Sequence, residues 1–240
     1  MPTDLYQGMS DFYNAFIGRN RDYRAIAMEL LKLFGNQQHI LDVGIGTGLL
    51  VEQLLELRSE LQITGIDTSK SLLAQAQASL GTQVELYCQD VCNLQLDKMF
   101  DVAYSRGGAW AFVQDGDTIL LASHILELDA IEQSFERVAA HLRDGGRFII
   151  ISSNANHSKQ DELDGEVSFG RTVSKHWVDG EQYLVLDYRC HRQGILTGHQ
   201  KVRMRLLELE YVESMLRAAG FQNISYDSHE CRIYQKESAK

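Results

Sequence analysis

Apolar and polar positions in residues 36–152 repeat in a strand and helix order. Short apolar runs begin at Ile40, Gln62, Val84 and Phe100, and stretches with helical spacing separate them. Runs of this length bounded by turn residues are typical of buried strands, and apolar residues at i, i+3 and i+4 are typical of amphipathic helices. Strands that alternate with helices predict an α/β fold with a largely parallel sheet.

The pattern gives approximate bounds for each element of this sheet. Strands are predicted over Ile40 to Val43, Gln62 to Ile66 (ended by Asp67), Val84 to Val91 and Phe100 to Tyr104. A helix capped by Thr68 or Ser69 follows the second strand. A long helix is predicted over Ile125 to Leu142, and Gly145-Gly146 then turns the chain into a fifth strand.

The two ends of the chain differ from this core. Helical spacing over Tyr6 to Phe34 predicts a helical segment that stops at Gly35. In the last third, two alternating runs joined at Asp179-Gly180 predict a hairpin, and TGHQKVRMRLL is a candidate third strand. The helix LELEYVESMLRAAGF and the terminal strands NISYDS and CRIYQK follow.

These patterns divide the chain into four parts. They are an N-terminal helical cap (1–35), an α/β core (36–153), an antiparallel strand insertion (154–206), and a C-terminal helix and strands that complete the core (207–240). The insertion is long for a connection, so it is either a substrate cover or an oligomer contact, with a homodimer as one possibility.

The chain is organised around the stretch HILDVGIGTGLL, residues 39–50, which reads as strand, glycine turn and helix. Glycines at 44, 46 and 48 allow the backbone to turn sharply and let a ligand lie against the main chain near a helix N-terminus. The dinucleotide fingerprint is G-x-G-x-x-G. Here the third glycine comes one position early, and Asp42 lies two positions before the first glycine. This spacing argues against a dehydrogenase.

The stretch D-V-G-I-G-T-G resembles the nucleotide-binding motif of class I S-adenosylmethionine (SAM) dependent methyltransferases. Asp11-Phe12-Tyr13 and Asp22-Tyr23, followed by an amphipathic helix, resemble small-molecule members, particularly sugar N,N-dimethyltransferases and glycine N-methyltransferases. The resemblance implies that residues 36–153 are a SAM-binding, Rossmann-like core. It implies a seven-stranded, mostly parallel sheet of order 3-2-1-4-5-7-6 with helices on both faces. It also implies methyl transfer from SAM, which leaves S-adenosylhomocysteine.

Acidic residues at strand ends supply the cofactor candidates. The Asp67 carboxylate can accept hydrogen bonds from both ribose hydroxyls, or it merely caps the next helix. Asp90 resembles the family position that binds the adenine amino group, with Val91 against the ring, although an ordinary loop aspartate is the alternative. The full predicted cofactor set is Asp42, Gly44, Gly46, Gly48, Asp67, Thr68, Asp90, Val91, Ser105 and Tyr23.

The acceptor is expected beyond the fourth strand, because ligands bind outside the carboxyl ends of strands in open α/β sheets. Residues 105–112 are therefore predicted to face the reacting methyl group. Arg106 is a candidate partner for a carboxylate, and Trp110 either walls the pocket or belongs to the core. His124 is a candidate base, or a polar residue at a helix entry. The predicted catalytic residues are His124 and Tyr13, and the predicted substrate-binding residues are Tyr6, Arg106, Trp110 and Trp177.

Composition narrows the acceptor. The formal charge of −10 disfavours binding to phosphate backbones. The sole proline is Pro2, so the Asn/Asp-Pro-Pro-aromatic motif of nucleic-acid amine methyltransferases and the Pro-Cys motif of base-carbon methyltransferases are both absent. We therefore expect a small-molecule acceptor and no nucleic acid. An amine nitrogen is preferred, with O-methylation or a non-catalytic SAM-binding protein as alternatives.

The remaining features indicate a cytoplasmic protein. No apolar run approaches the roughly 18 residues of a membrane helix, and the N-terminus lacks a signal-peptide pattern. The four cysteines show no CxxC spacing and are expected to be free. No carboxylate and amide cluster for magnesium follows the fourth strand, so no metal is expected.

Overall fold

The computed structural model describes residue 14 and residues 21–153, 157–162, 167–225 and 231–238. The α-helices in these ranges are α1 (Tyr23–Phe34), α2 (Leu49–Leu57), α3 (Lys70–Leu80), α4 (Leu128–His141) and α5 (Leu209–Ala218). The strands are β1 (His39–Val43), β2 (Gln62–Asp67), β3 (Val84–Cys88), β4 (Phe100–Ser105), β5 (Trp110–Asp115), β6 (Thr118–Ser123), β7 (Leu142–Ile151), β8 (Lys159–Glu162), β9 (Val167–Val178), β10 (Glu181–Arg192), β11 (Ile195–Glu208), β12 (Phe221–Ser225) and β13 (Cys231–Lys236).

Seven strands form the core sheet in the order β12-β13-β7-β4-β1-β2-β3. Neighbours from β7 to β3 pair in parallel, whereas β13 runs antiparallel to both β7 and β12. When these seven strands alone are numbered along the chain and read from β3, the order is 3-2-1-4-5-7-6. The predicted Rossmann-like order is therefore confirmed.

Alternation along the strands builds one apolar layer on each face of the core sheet. Ile40 and Val102 belong to the cluster that includes buried residues of α1, α2 and α3. Leu41 and Ala103 belong to the cluster that includes buried residues of α4 and α5. Because side chains alternate between faces in a strand, each strand contributes to both layers. The sheet is thereby fixed between helices, and its carboxyl edge carries the glycine turn.

A second, antiparallel sheet has the order β5-β6-β11-β10-β9-β8. The predicted hairpin is confirmed between β9 and β10, where Asp179 and Gly180 have φ of 52° and 81°. The third predicted strand is β11, which pairs with β10. Strand β5 of this sheet contacts the carboxyl end of β7, where the Ser153 amide donates to the Phe112 carbonyl over 2.8 Å.

The β5–β6 hairpin was not predicted from the sequence. Residues 110–115 form a strand, so the expectation that all of residues 105–112 face the reacting methyl group is wrong, and the connecting loop is 106–109. The run from Trp110 to Val113 is buried, and β6 returns after a turn at Gly116, whose φ is 60°. Apolar side chains on both faces of β5 hide the alternation that marks a half-buried strand.

Several helices and strands begin or end a few residues from their predicted positions. Helix α4 begins at Leu128 rather than Ile125, β3 ends at Cys88 rather than Val91, and Gly145-Gly146 lies inside β7. The predicted first helix is confirmed from Tyr23, whereas most of its earlier residues lie outside the described part of the chain. Cys88, Cys92, Cys190 and Cys231 form no disulfide among the described residues, as expected. None of the described helices is both long and apolar enough to cross a membrane.

Candidate cofactor and acceptor site

The glycine turn, residues 44–48, contacts the loop that follows β4. All three glycines of the turn have positive φ, at 85°, 59° and 83°. A Cβ added to Gly44 would lie 2.3 Å from the Gly108 Cα, so the two backbones are in direct contact. Both positions therefore require glycine, and the carboxyl ends of β1 and β4 form one continuous rim.

Asp67 fixes the second half of the turn. The Gly46 amide donates to Asp67 Oδ2 over 2.9 Å, and the Ser69 amide donates to Oδ1 over 2.8 Å. A carboxylate has about four lone-pair sites, so both oxygens can accept further bonds. The N-cap of α3 is Ser69, whose hydroxyl accepts from the Leu72 amide, while Thr68 is exposed. Of the two predicted caps, Ser69 is thus the correct one.

Asp42 lies behind the turn as a buried acid, 4% exposed. Its carboxylate accepts a hydrogen bond from the Tyr104 hydroxyl on β4. The pKa of Asp42 is raised to about 7, chiefly by burial and also by the nearby Asp67, which together outweigh the lowering effects of Tyr104 and Arg106. Burial also raises the pKa of Tyr104, so the phenol keeps its proton and remains the donor. Sequence analysis missed Tyr104 because its partner is 62 residues away.

The loop after β4, residues 106–109, is anchored at both ends. Ser105 is fully buried, and its hydroxyl donates to the Trp110 carbonyl over 3.2 Å, which closes the loop. The Arg106 guanidinium lies over the Tyr23 ring of α1, 5.2 Å from the ring centroid. Two of the predicted site residues, Tyr23 and Arg106, are therefore brought together by a cation–π contact.

Trp110 belongs to the core. Its side chain has no exposed surface, and its indole packs on Phe135 and Phe148 at centroid distances of 5.2 and 5.6 Å. The packing supports the interpretation of Trp110 as a core residue, because a fully buried indole leaves no area for a substrate. The expectation that it walls the substrate pocket is corrected accordingly.

His124 follows β6 and faces the same loop. Its amide donates to the Ala109 carbonyl over 3.0 Å, which continues the β5–β6 pairing by one residue. Burial lowers the pKa of the His124 imidazole to about 4, against a hydrogen bond with the Gly107 backbone that raises it. The ring is therefore neutral at physiological pH. It lies beside Gly107, the residue that precedes Gly108.

Asp90 caps a short 3₁₀ helix, Val91–Asn93, beyond β3. Its carboxylate accepts from the Cys92 amide over 2.9 Å while the residue itself is exposed, and Val91 is buried. This position at the third strand end is the predicted one. The adenine contacts of Asp90 and Val91 stay predictions.

No observed contact joins Trp177 to this rim, and two further predicted residues lie outside the described part of the chain. Trp177 is 69% exposed near the end of β9, where it pairs with Gln182. Tyr6 and Tyr13 lie outside the described residues. A contact that the sequence did not reveal joins Thr47 of the turn to Asn14.

The rim has the features that an adenosyl ligand with a sulfonium centre requires. A Cβ at Gly46 would meet no atom within 4 Å, so the main chain there is open to a ligand. The carboxylate of Asp67 supplies acceptors and negative charge beside it, which suits ribose hydroxyls and a cationic group. The residues present therefore fit SAM.

Comparison with known proteins agrees with this fit. The methyltransferase domain family, by its description "Methyltransferase domain", matches residues 40–146. The malonyl-[acyl-carrier protein] O-methyltransferase of Bacillus cereus is 27% identical over 189 residues, 76% of this chain and 61% of that protein. The chain thus spans less than two thirds of the length of this curated relative.

Two solved structures have the same fold. A SAM-dependent methyltransferase from Clostridium acetobutylicum superposes with a TM-score of 0.71 at 18% identity, covering 97% of this chain and 99% of that one. A SAM-bound amino pentose methyltransferase from Micromonospora echinaspora gives 0.65 at 16% identity, covering 94% and 96%. The strand order and these superpositions show that the chain has the fold of the SAM-dependent methyltransferases, and its residues 40–146 match the methyltransferase domain family.

Proposed function

We propose that this protein transfers the methyl group of SAM to an amine nitrogen of a small molecule. The observation that carries the proposal is the neutral imidazole of His124, which lies beside Gly107 in the loop after β4. The next residue of that loop, Gly108, contacts Gly44 of the glycine turn. A donor held against the turn and an acceptor held against His124 would meet at this loop. SAM supplies an activated methyl group, so the main task of the protein is alignment.

The proposed cofactor residues divide into a first set that contacts the nucleoside and a second set that shapes the site. Asp67, with Thr68 beside it, binds the ribose, and Asp90 and Val91 bind the adenine. Asp42, Gly44, Gly46, Gly48, Ser105 and Tyr23 shape the turn, the loop and the space for the methionine part. The observed bonds from Gly46 and Ser69 to Asp67 support the first set, since they orient its carboxylate.

The low pKa of His124 favours an amine over an aliphatic hydroxyl. An imidazole whose pKa is about 4 is too weak a base to remove a proton from an alcohol. It can accept a hydrogen bond from an amine N–H and direct the nitrogen lone pair at the methyl carbon. A neutral ring also avoids repulsion of the sulfonium and of an ammonium that has yet to release its proton.

A carboxylate acceptor is the second candidate. The Bacillus cereus relative is named an O-methyltransferase, and Arg106 in this chain supplies a guanidinium at the loop. A carboxylate is already a nucleophile at neutral pH, so its methylation needs no base. Arg106 would hold such an acceptor, as would the exposed Trp177 if the β9–β10 hairpin covers it. Tyr6 and Tyr13 are proposed for acceptor contact and proton transfer on the sequence pattern alone.

The test is methyl transfer from isotopically labelled SAM to two acceptor panels, one of amino sugars and other primary amines, the other of carboxylic acids and malonyl thioesters. Because His124 is proposed to orient the amine, replacing it with Ala should lower kcat by about 10²-fold for an amine acceptor. The control is His39→Gln, because His39 begins β1 at the opposite edge of the sheet.

The outcomes separate the candidates. Turnover of amines that depends on His124 supports the proposal. Turnover of carboxylates that is indifferent to His124 but lost in Arg106→Gln would establish the second candidate instead. Binding of S-adenosylhomocysteine without transfer to either panel would favour a non-catalytic SAM-binding protein. Loss of turnover after chelation and its return with magnesium would contradict the metal-independent mechanism.

A further inference from the structure

Thr47, the central polar residue of the glycine turn, is tied to the N-terminal part of the chain. Its hydroxyl donates a hydrogen bond to the side-chain carbonyl of Asn14 over 2.5 Å. Thr47 is 4% exposed, and 33 residues separate the two partners. The bond therefore joins distant parts of the sequence at a buried position.

The position of this bond gives it a function in the site. Thr47 lies between Gly46, whose amide is held by Asp67, and Gly48, which precedes α2 with a φ of 83°. Glycines carry no side chain, so side-chain anchors of the turn come from its other residues and from its neighbours. Asp67 holds the turn on the β2 side, and Asn14 holds it on the N-terminal side.

A buried hydroxyl that loses its partner destabilises the arrangement that buries it. Loss of the Asn14 carbonyl would therefore leave Thr47 unsatisfied, and the turn would shift to give that hydroxyl another partner. The ligand lies against the backbone of this turn, so such a shift would change cofactor affinity. Arg106 on Tyr23 makes a comparable link between the loop after β4 and α1.

We propose that Asn14 is a positioning residue of the cofactor site and acts through Thr47. The Asn14 carbonyl holds the Thr47 hydroxyl, and Thr47 keeps the glycine turn in the shape that accepts SAM. The inference rests on the cofactor site of the proposed function. It adds a residue that neither the sequence motif nor the proposed contacts contain.

The test is a double-mutant cycle on the affinity for S-adenosylhomocysteine, measured by calorimetry without acceptor. Thr47→Val keeps the shape of the side chain and removes the hydroxyl, while Asn14→Ala removes its partner. Each single variant should raise Kd about three- to tenfold, and the double variant should be no weaker than either single. Thr47→Ser keeps the hydroxyl and should restore affinity relative to Thr47→Val.

The matched control is Thr64→Val, because Thr64 is 3% exposed but lies within β2 outside the turn. An equal loss of affinity in Thr64→Val would show general destabilisation and overturn the proposal. Unchanged Kd in Thr47→Val, or single effects that multiply in the double variant, would also overturn it. In steady state, the KM for SAM should rise in Thr47→Val while kcat changes little, a split that a loss of folded protein would not produce.

Failure of this inference can be told from failure of the proposed function. If wild-type protein binds S-adenosylhomocysteine but methylates no amine, the acceptor assignment fails and the cycle still reads the role of Asn14. If wild-type protein methylates an amine and the Thr47 and Asn14 variants bind normally, the positioning role alone is wrong.

Discussion

The Tyr104 hydroxyl donates its hydrogen bond to the buried carboxylate of Asp42. The two residues face each other across neighbouring strands, because Asp42 on β1 and Tyr104 on β4 are partners in the parallel register. Both side chains are buried, so the carboxylate is removed from water with one neutral donor beside it. Such an acid favours its protonated form in the folded state.

The first prediction concerns Asp42→Asn and pH. The folded-state pKa of about 7 lies above the model-peptide value of 3.8. A raised pKa means that stability is fully present below the unfolded pKa and is lost as pH rises through the folded one. Asparagine keeps an oxygen for Tyr104 and carries no charge. The difference in unfolding free energy between Asp42→Asn and wild type should therefore increase, in favour of the variant, by on the order of 2–4 kcal/mol from pH 4 to pH 8.

Urea denaturation across that pH range measures the difference between the two curves. The gain should accumulate between about pH 4 and pH 7 and level off above. A difference that is constant with pH would show that the Asp42 carboxylate is solvated as an ordinary acid in the folded state.

Asp101→Asn is predicted to behave with the opposite sign. Burial raises the pKa of Asp101, but hydrogen bonds from the His39 amide, the Arg143 guanidinium and the Gln38 amide outweigh it, so the pKa is lowered. Its contribution is present above the unfolded pKa and is lost as pH falls through the folded one. At pH 7 the variant should lose about 1 kcal/mol, and the deficit should shrink in acid. The same denaturation series checks it, and a deficit that grows in acid would contradict the hydrogen-bonded carboxylate.

Asp67→Ala is predicted to weaken the binding of SAM by roughly 1–3 kcal/mol through lost charge-assisted hydrogen bonds. The structure adds that the variant also frees the Gly46 and Ser69 amides. Ser69→Ala is therefore the control, because it removes the α3 cap and costs about 1 kcal/mol of stability without removing the carboxylate. Titration calorimetry with SAM compares the two. A folded Asp67→Ala variant with unchanged affinity would exclude Asp67 from the ribose role.

The strand order could be predicted because local signals and the family motif agreed in the core. Alternating runs, the glycine turn and the Asp179-Gly180 hairpin each depend on residues close together in the sequence, and all three are confirmed. The β5–β6 hairpin was missed although its two strands are adjacent in the sequence. Strand β5 is apolar on both faces, so its sequence lacks the alternation of apolar and polar residues that would have identified it as a strand.

The site shows a second limit. Residues at strand ends could be placed on the carboxyl rim from the sequence, and Asp67, Arg106 and His124 do lie there. Trp110 could not be assigned, because its environment of Phe135 and Phe148 comes from other elements. Tyr104 and Asn14 were missed since nothing near them in the sequence identifies Asp42 or Thr47 as their partners.

The last prediction compares two glycines with the same strain and different surroundings. Gly46 and Gly81 both have a φ of 59°, and an added Cβ would meet nothing within 4 Å at either position. Alanine at each should therefore cost about the same, on the order of 1 kcal/mol, through positive φ alone. Gly81 ends α3, whereas Gly46 lies in the glycine turn beside Asp67.

The open space at Gly46 is where a ligand would approach the backbone, so Gly46→Ala should lose SAM binding at least about tenfold while Gly81→Ala keeps it. Gly44→Ala should differ from both, because its Cβ would clash with the Gly108 backbone and the variant should unfold at markedly lower urea concentration. Denaturation curves and SAM titrations of the three variants separate strain, clash and ligand contact. Equal affinity in Gly46→Ala and Gly81→Ala would mean that the cofactor does not lie against the turn, and the site would have to be sought elsewhere on the rim.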